Sequence, residues 1–355
     1  MEKTVILVMV IIILLLVCSR HRWKRLAKER SIDFLEADKK TEAPHRCFAC
    51  REKRERGLCS QSLDTACGAP SVCRKTETVL RYQDIPHWPC EGFTRRELER
   101  GFANAEFQMY LHFYVAADTE RLAGGEALCR WEHPERGVLA PAEFLPALIR
   151  EGMLEQLDHL MLESASALLA ELHRKQIDDF FVLCNFSDVT VQREEFIDRC
   201  EFILKRHEFR RERLVFELGR EAVLQCSGPG GQRLWNLRES GIRFALGQIS
   251  QNFMALLGLR RVMVDVLVFD PCMMEALGTD TGNVFLRSII QAGHELGCRV
   301  FATGVERSEQ ASALQVIGCD LMQGYCFGKP LPAREAAKLL YAQMESKNKT
   351  ILAVN

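Results

Sequence analysis

The chain has 355 residues, 47% of them hydrophobic, with 15 cysteines and a formal net charge of −1. That apolar share excludes wholesale disorder, and the near-zero charge gives no global case for direct nucleic-acid binding. The length accommodates one large domain with additional segments.

The first predicted element is apolar. Thr4 to Ser19 carries almost no polar side chain, and only Met1, Glu2 and Lys3 precede it. Arg20-His21-Arg22-Trp23-Lys24-Arg25 follows, with Lys28 and Arg30 close behind. A membrane span needs about 20 residues, and flanking arginines extend a short one by snorkelling. Basic charge after the apolar core predicts an uncleaved single-pass helix over 1–19, with the rest of the chain on the cytoplasmic side. A cleaved signal peptide, which carries its charge before the apolar core, is the competing reading. Cytoplasm keeps thiols reduced, so the cysteines are not expected to form a disulfide framework.

Residues 20–46 predict a basic juxtamembrane helix, either solvated or in contact with anionic head groups. Residues 47–95 form a cysteine-rich segment with Cys47, Cys50, Cys59, Cys67, Cys73 and Cys90. Cys47 and Cys50 have the Cys-x-x-Cys spacing that lets two thiolates chelate one tetrahedral ion, with His45 and His87 as further candidates. The remaining spacing is irregular, so zinc held by Cys47, Cys50, Cys59, Cys67 and Cys73, redox chemistry, an iron–sulfur site and a linker of reduced thiols all stay open. Few large apolar residues lie here, so a metal would help the segment fold.

From about Gly101 strand-like and helix-like runs alternate. Strands are predicted over Gln108–Val115, Gly124–Arg130, Phe180–Asn185, Leu214–Leu218, Ile242–Leu246, Val264–Phe269, Arg299–Ala302 and near Asp320–Gln323. Helices are predicted over Leu157–Arg174, Arg193–Arg206, Gln232–Ser240, Thr281–Leu296 and Glu309–Ile317. Repeated βα units of this length favour an α/β fold, a TIM-like (β/α)8 barrel over 100–340, followed by a tail over 341–355. Working residues of such a barrel sit at the C-terminal ends of strands, where Asn185, Glu217 and Asp270 fall; Glu126 lies nearer mid-strand. Phe180-Phe181-Val182 reads as barrel core. Met273-Met274, after Pro271, reads as exposed. Cys129, Cys184, Cys298 and Cys319 read as small buried hydrophobes, and Lys205, Arg206, Arg210, Arg211 and Arg213 as a solvated basic face.

Several motifs give a more specific reading. Gly125-Glu126-Ala127-Leu128-Cys129-Arg130-Trp131, His133-Pro134, Gly137, Pro141 and Phe144-Leu145-Pro146 are followed in order by Asn185-Phe186-Ser187, Glu217-Leu218, Gly304-Val305-Glu306, Gln323-Gly324-Tyr325 and Lys329-Pro330. Across roughly residues 105–335 the chain resembles the EAL-domain cyclic di-GMP phosphodiesterases of bacteria. The resemblance implies a TIM-like barrel whose first strand runs antiparallel, cyclic di-GMP as ligand, often a homodimer, and a bacterial inner membrane for the anchor.

The resemblance also assigns roles residue by residue. It implies that Glu126, Asn185 and Glu217 match three family ligands of a divalent metal. The fourth, an Asp, and its acidic neighbour are replaced by Gly247 and Gln248. The family lysine is Val268, a family Glu is Thr303, another is Arg220, and a substrate-contacting Gln is His112. Leu128, Arg130, Asp270 and Gln323 match positions that face the ligand. A divalent ion leaves water only for anionic oxygens held in place, and hydrolysis needs a base for its water. The expectation is a degenerate, catalytically inactive EAL-like regulator that takes no metal in its barrel and acts on an unidentified protein partner, with metal-free binding of unhydrolysed cyclic di-GMP left open. The alternative is a weak or altered metal-dependent phosphodiesterase.

Overall fold

The computed structural model describes residues 92–219, 231–247 and 264–354. The expected anchor, the juxtamembrane helix, Cys47, Cys50, Cys59, Cys67 and Cys73, and the positions Arg220 and Gln248 lie outside the described residues.

Helix α1 (Arg95–Ala103) starts at a reciprocal cap: the Thr94 hydroxyl accepts from the Glu97 N–H at 3.3 Å, and the Glu97 carboxylate accepts from the Thr94 N–H at 2.7 Å. Strands β1 (Phe107–Ala116) and β2 (Leu122–His133) form a long antiparallel hairpin, and β3 (Gly137–Leu139) adds to the end of β2. Helices α2 (Pro141–Arg150) and α3 (Leu154–Arg174) carry the chain to β4 (Phe181–Asn185). Short α4 (Asp188–Val191) and α5 (Phe196–Leu204) precede β5 (Leu214–Leu218). Then come α6 (Gly231–Glu239), β6 (Arg243–Leu246), β7 (Val266–Phe269), α7 (Asp280–Glu295), β8 (Arg299–Ala302), α8 (Ser308–Val316), β9 (Leu321–Met322), β10 (Leu331–Pro332) and α9 (Ala333–Val354).

The strands close in the order β1, β2, β4, β5, β6, β7, β8, β9 and back to β1, with β3 and β10 as outer additions. From β2 to β9 every neighbouring pair in this ring is parallel; β1 runs antiparallel to both β2 and β9. The antiparallel first strand is therefore as the resemblance implies. Closure removes the sheet edges that would otherwise need protection.

Strand alternation sorts the core into two compartments. Tyr114, Phe181, Leu183, Val215, Ala245, Val266, Val268, Phe301 and Leu321 fill the barrel interior. The opposite strand faces pack against the helices, through Val182, Phe216, Leu267 and Val300 among others. Gly124 is required inside: a Cβ there would lie 2.2 Å from the Phe181 ring. Burial of the free Cys129, Cys184, Cys298 and Cys319 matches the reading of them as packing residues.

One reading changes. Met273 and Met274 are buried, because Pro271–Ala276 winds into a 3₁₀ turn that folds them under the strand end. Helix α9 spans Ala333–Val354 and so includes most of the residues read as the tail. No helix among the described residues is long and apolar enough to cross a membrane.

Candidate functional site

The ends of the parallel strands surround a polar mouth above the apolar interior. The register sets its members side by side: His112 pairs with Glu126 across β1 and β2, Asn185 with Glu217 across β4 and β5, and Glu217 with Ala245 across β5 and β6. Glu126 is fully buried, and His112, Glu217, Thr303 and Gln323 are nearly so. Carboxylates at that depth need partners, since desolvation penalises an isolated charge heavily.

Glu126 has one such partner. The Asn185 side-chain amide donates to Glu126 Oε1 at 2.7 Å. Glu126 Oε2 is buried and meets no hydrogen-bond partner among the described residues. Asn185 thus turns its N–H₂ toward the carboxylate. Loop geometry holds it there: just beyond β4, Ser187 caps α4, and buried Asp158 of α3 accepts from the Ser187 hydroxyl at 2.8 Å and its N–H at 3.2 Å. Asp158 was missed from sequence, although a carboxylate between Leu157 and Met161 on the apolar stripe of α3 is the signal that would have found it.

His112 is held by the carbonyl of Gly328, 3.1 Å from Nε2, so that nitrogen carries the proton. Burial holds its pKa below the ordinary histidine range, against the raising pull of Glu126. Gln323 donates from Nε2 to the His112 carbonyl at 3.2 Å. At the rim, the Arg130 guanidinium donates to the Cys129 carbonyl at 2.9 Å and lies 5.9 Å from the Tyr110 ring centroid. Lys329 Nζ lies 5.4 Å from the Tyr325 ring centroid, and Tyr325 lies 6.0 Å from the His112 ring. Tyr325 and Lys329, members of the motifs after β9, join this rim, and so does Tyr110 of β1, which no motif singled out.

The wall formed by β6, β7 and β8 is different. Gly247, one residue past β6, is buried and offers no side chain. Val268 is fully buried and belongs to the apolar interior cluster. Thr303 turns its hydroxyl onto the Phe269 carbonyl at 2.7 Å. Asp270 closes β7 and is followed by Pro271, against which Gly304 packs. A Cβ at Gly304 would lie 2.6 Å from Pro271 Cβ, and its φ of 78° is one that side-chain-bearing residues rarely adopt. Leu128 is buried on β2.

The structure therefore brings Glu126, Asn185, Glu217, His112 and Gln323 into one mouth, with Arg130 at its edge. As donors for a divalent cation they fit poorly: the Asn185 amide donates to Glu126 instead of turning its oxygen to that carboxylate, and Gly247 adds no side-chain oxygen. Among the described residues no three His, Cys, Asp or Glu side chains converge as a metal-binding group.

Comparison with known proteins bears on the same region. The EAL domain family model matches residues 95–330. MucR of Pseudomonas aeruginosa, a bifunctional diguanylate cyclase/cyclic di-GMP phosphodiesterase, is 27% identical over 231 residues, covering 64% of this chain and 34% of its own length. The cyclic di-GMP phosphodiesterase NbdA of the same organism is 27% identical over 247 residues, covering 69% of this chain and 32% of its own. The chain thus spans about a third of each. An uncharacterized protein of Mycobacterium tuberculosis is 30% identical over 244 residues, covering 67% of this chain and 78% of its own. Among solved structures, the MucR phosphodiesterase in complex with c-di-GMP superposes with a TM-score of 0.64 at 24% identity, over 68% of this chain and 98% of that one. The FimX EAL domain from Pseudomonas aeruginosa, bound to c-di-GMP, gives 0.59 at 19% identity, over 66% and 95%. These last two likenesses are likenesses of fold.

Proposed function

The chain belongs to the EAL domain family, and from that premise we propose that it is a membrane-anchored, catalytically inactive regulator that acts through protein contacts. One observation carries the reading: the two inward positions beside the surviving carboxylates are Gly247 and Val268, while Asn185 donates its amide to Glu126. A site so built lacks the anionic oxygens that strip water from a divalent ion. It also lacks an amine beside the reacting phosphate to help activate water or stabilise charge. Losing one such group lowers rates by about 10²–10⁴, and the losses here fall on one centre.

The ligand of this reading is cyclic di-GMP, bound and left intact, as the relatives' ligand suggests. Arg130 at the rim has the planar fork that suits a phosphate, and Gln323 and Asp270 border the same mouth. The apolar N-terminal segment followed by basic residues supports the anchor. Zinc in the segment 47–95 remains part of the proposal on spacing alone.

The decisive assay supplies the full chain with Mg²⁺ or Mn²⁺ and cyclic di-GMP and looks for linear dinucleotide. No product is expected. Product that disappears in Glu126→Ala would instead establish the alternative, a weak phosphodiesterase working from the Glu126–Asn185–Glu217 side. Calorimetric titration with the dinucleotide, with and without metal, then separates receptor from pure interaction module.

A further inference from the structure

Away from the mouth, helix α3 turns a stripe of three titratable side chains toward α5. Glu155, His159 and Glu163 recur every four residues, a spacing that puts them on one face. The two acids have cationic partners at either end of α5. Glu155 meets Arg193, just before that helix, at 3.8 Å. Glu163 meets Arg206 at 3.2 Å and His207 at 2.7 Å, just after it. The middle position is different. His159 is half-buried, and its buried Nε2 has no hydrogen-bond partner among the described residues. Arg199 of α5 is the charge that reaches it across the seam, and Glu155 the one that reaches it along its own helix. On the other elements packed here, Cys184 of β4 and Cys200 of α5 are thiols held neutral by burial, and Asp188 belongs to α4. Glu194, Glu195 and Asp198 are exposed, and Glu201 is bound to Arg211. Burial holds the His159 pKa below the ordinary histidine range, against the raising pull of Glu155, and Arg199 lowers it further. A doubly protonated imidazole carries an N–H on each nitrogen, so the buried Nε2 would become a donor without an acceptor, in the field of an arginine.

We propose that this seam is a proton-sensitive latch: neutral His159 lets α5 close on α3, and its protonation loosens α5 together with the Ser187 turn that leads to Asn185. The inference goes beyond the ligand reading and holds whether or not the mouth is filled. In the opened seam His159 is hydrated and takes a proton more readily than in the closed one. The latch is therefore fully closed above the pKa of a free histidine, about 6.5. It gives way as pH falls through that value toward the depressed one. The route to the mouth is short. Asp158, next to His159, accepts from the Ser187 hydroxyl at 2.8 Å and from its N–H at 3.2 Å, and Ser187 follows Asn185 by two residues.

The test reads hydrogen exchange of the full chain over residues 186–206 at about pH 7.5 and about pH 5. Wild type and variants are compared at equal pH, so that intrinsic exchange cancels. Wild type is expected to lose protection there on acidification, while residues 280–302, across the barrel from β4, keep theirs. Each unit separating the closed and opened pKa values reads as a tenfold loss of protection at full acidification. H159Q, which cannot titrate, should flatten the response, and R199Q, which removes the opposing charge, should weaken it. H159K should imitate acid, with protection over 186–206 already reduced at pH 7.5. An acid loss equal in wild type and H159Q would overturn the proposal, as would a loss spread evenly over 186–206 and 280–302. H159K as well protected as wild type at pH 7.5 overturns it too. If H159K does not fold, the comparison of wild type with H159Q and R199Q decides the matter.

Discussion

The two walls of the barrel mouth differ more than their shared strand geometry requires. On β2, β4 and β5 the inward positions are Glu126, Asn185 and Glu217, tied by register and by the Asn185–Glu126 bond. On β7 and just past β6 and β8 lie Val268, Gly247 and Thr303, which are respectively packed in the apolar interior, without a side chain and bonded back to the Phe269 carbonyl; Asp270, just past β7, keeps a carboxylate on this side. The same alternation that delivers polar groups to one side delivers, Asp270 apart, mostly filler to the other. The contrast teaches that the lower layer holds the barrel's shape while the character of the mouth is set strand by strand.

The sharpest way to break the comparison is to restore one wall. Val268→Lys places an ammonium opposite Phe301 on β8, in the apolar cluster that also holds Leu183 and Tyr114. If the β7 wall has adapted to an apolar residue, stability should fall by about 3–5 kcal/mol, seen as a lower denaturant midpoint with an unchanged slope. A variant as stable as wild type would mean that Glu217 and Asp270 still receive a lysine, and the walls would be less different than drawn.

Asn185→Ala tests the opposite wall. It removes the donor to Glu126 Oε1 and leaves a fully buried carboxylate without its amide. The expected loss is about 1–3 kcal/mol, the cost of an abandoned buried acceptor. No loss in chemical denaturation would show that Glu126 is satisfied from elsewhere, and the bond would cease to define that side.

Much of this architecture was readable beforehand. The alternation of apolar runs placed Leu214–Leu218 and Arg299–Ala302 without error, because fully buried parallel strands are short apolar runs bounded by turns. Helix α2 escaped because Pro141 and Pro146 look like breaks, although the first sits at the helix start, where its missing N–H costs nothing. Met273 and Met274 were misplaced because proline marks a turn without saying which side of it is buried. At the mouth, the members could be named from motif order. The direction in which Asn185 points, the capture of Thr303 by a backbone carbonyl and the Asp158–Ser187 contact depend on three-dimensional neighbours far apart in the chain.

The smallest expected effect carries the finest distinction. Glu126→Gln keeps an oxygen able to accept from the Asn185 amide and removes a buried negative charge whose second oxygen has no partner among the described residues. Without a cation the change should shift stability by no more than about 1 kcal/mol, in the stabilising direction, since a buried carboxylate with only one oxygen hydrogen-bonded is itself a burden. With millimolar Mn²⁺ the wild type should melt where it melts in EDTA, because a ligand that does not bind the native state cannot raise its melting temperature. A wild type raised by Mn²⁺, with Glu126→Gln insensitive to it, would place a cation on the polar wall. The retained carboxylates would then be a working half-site, and the asymmetry between the walls would mark an altered metal centre instead of an abandoned one.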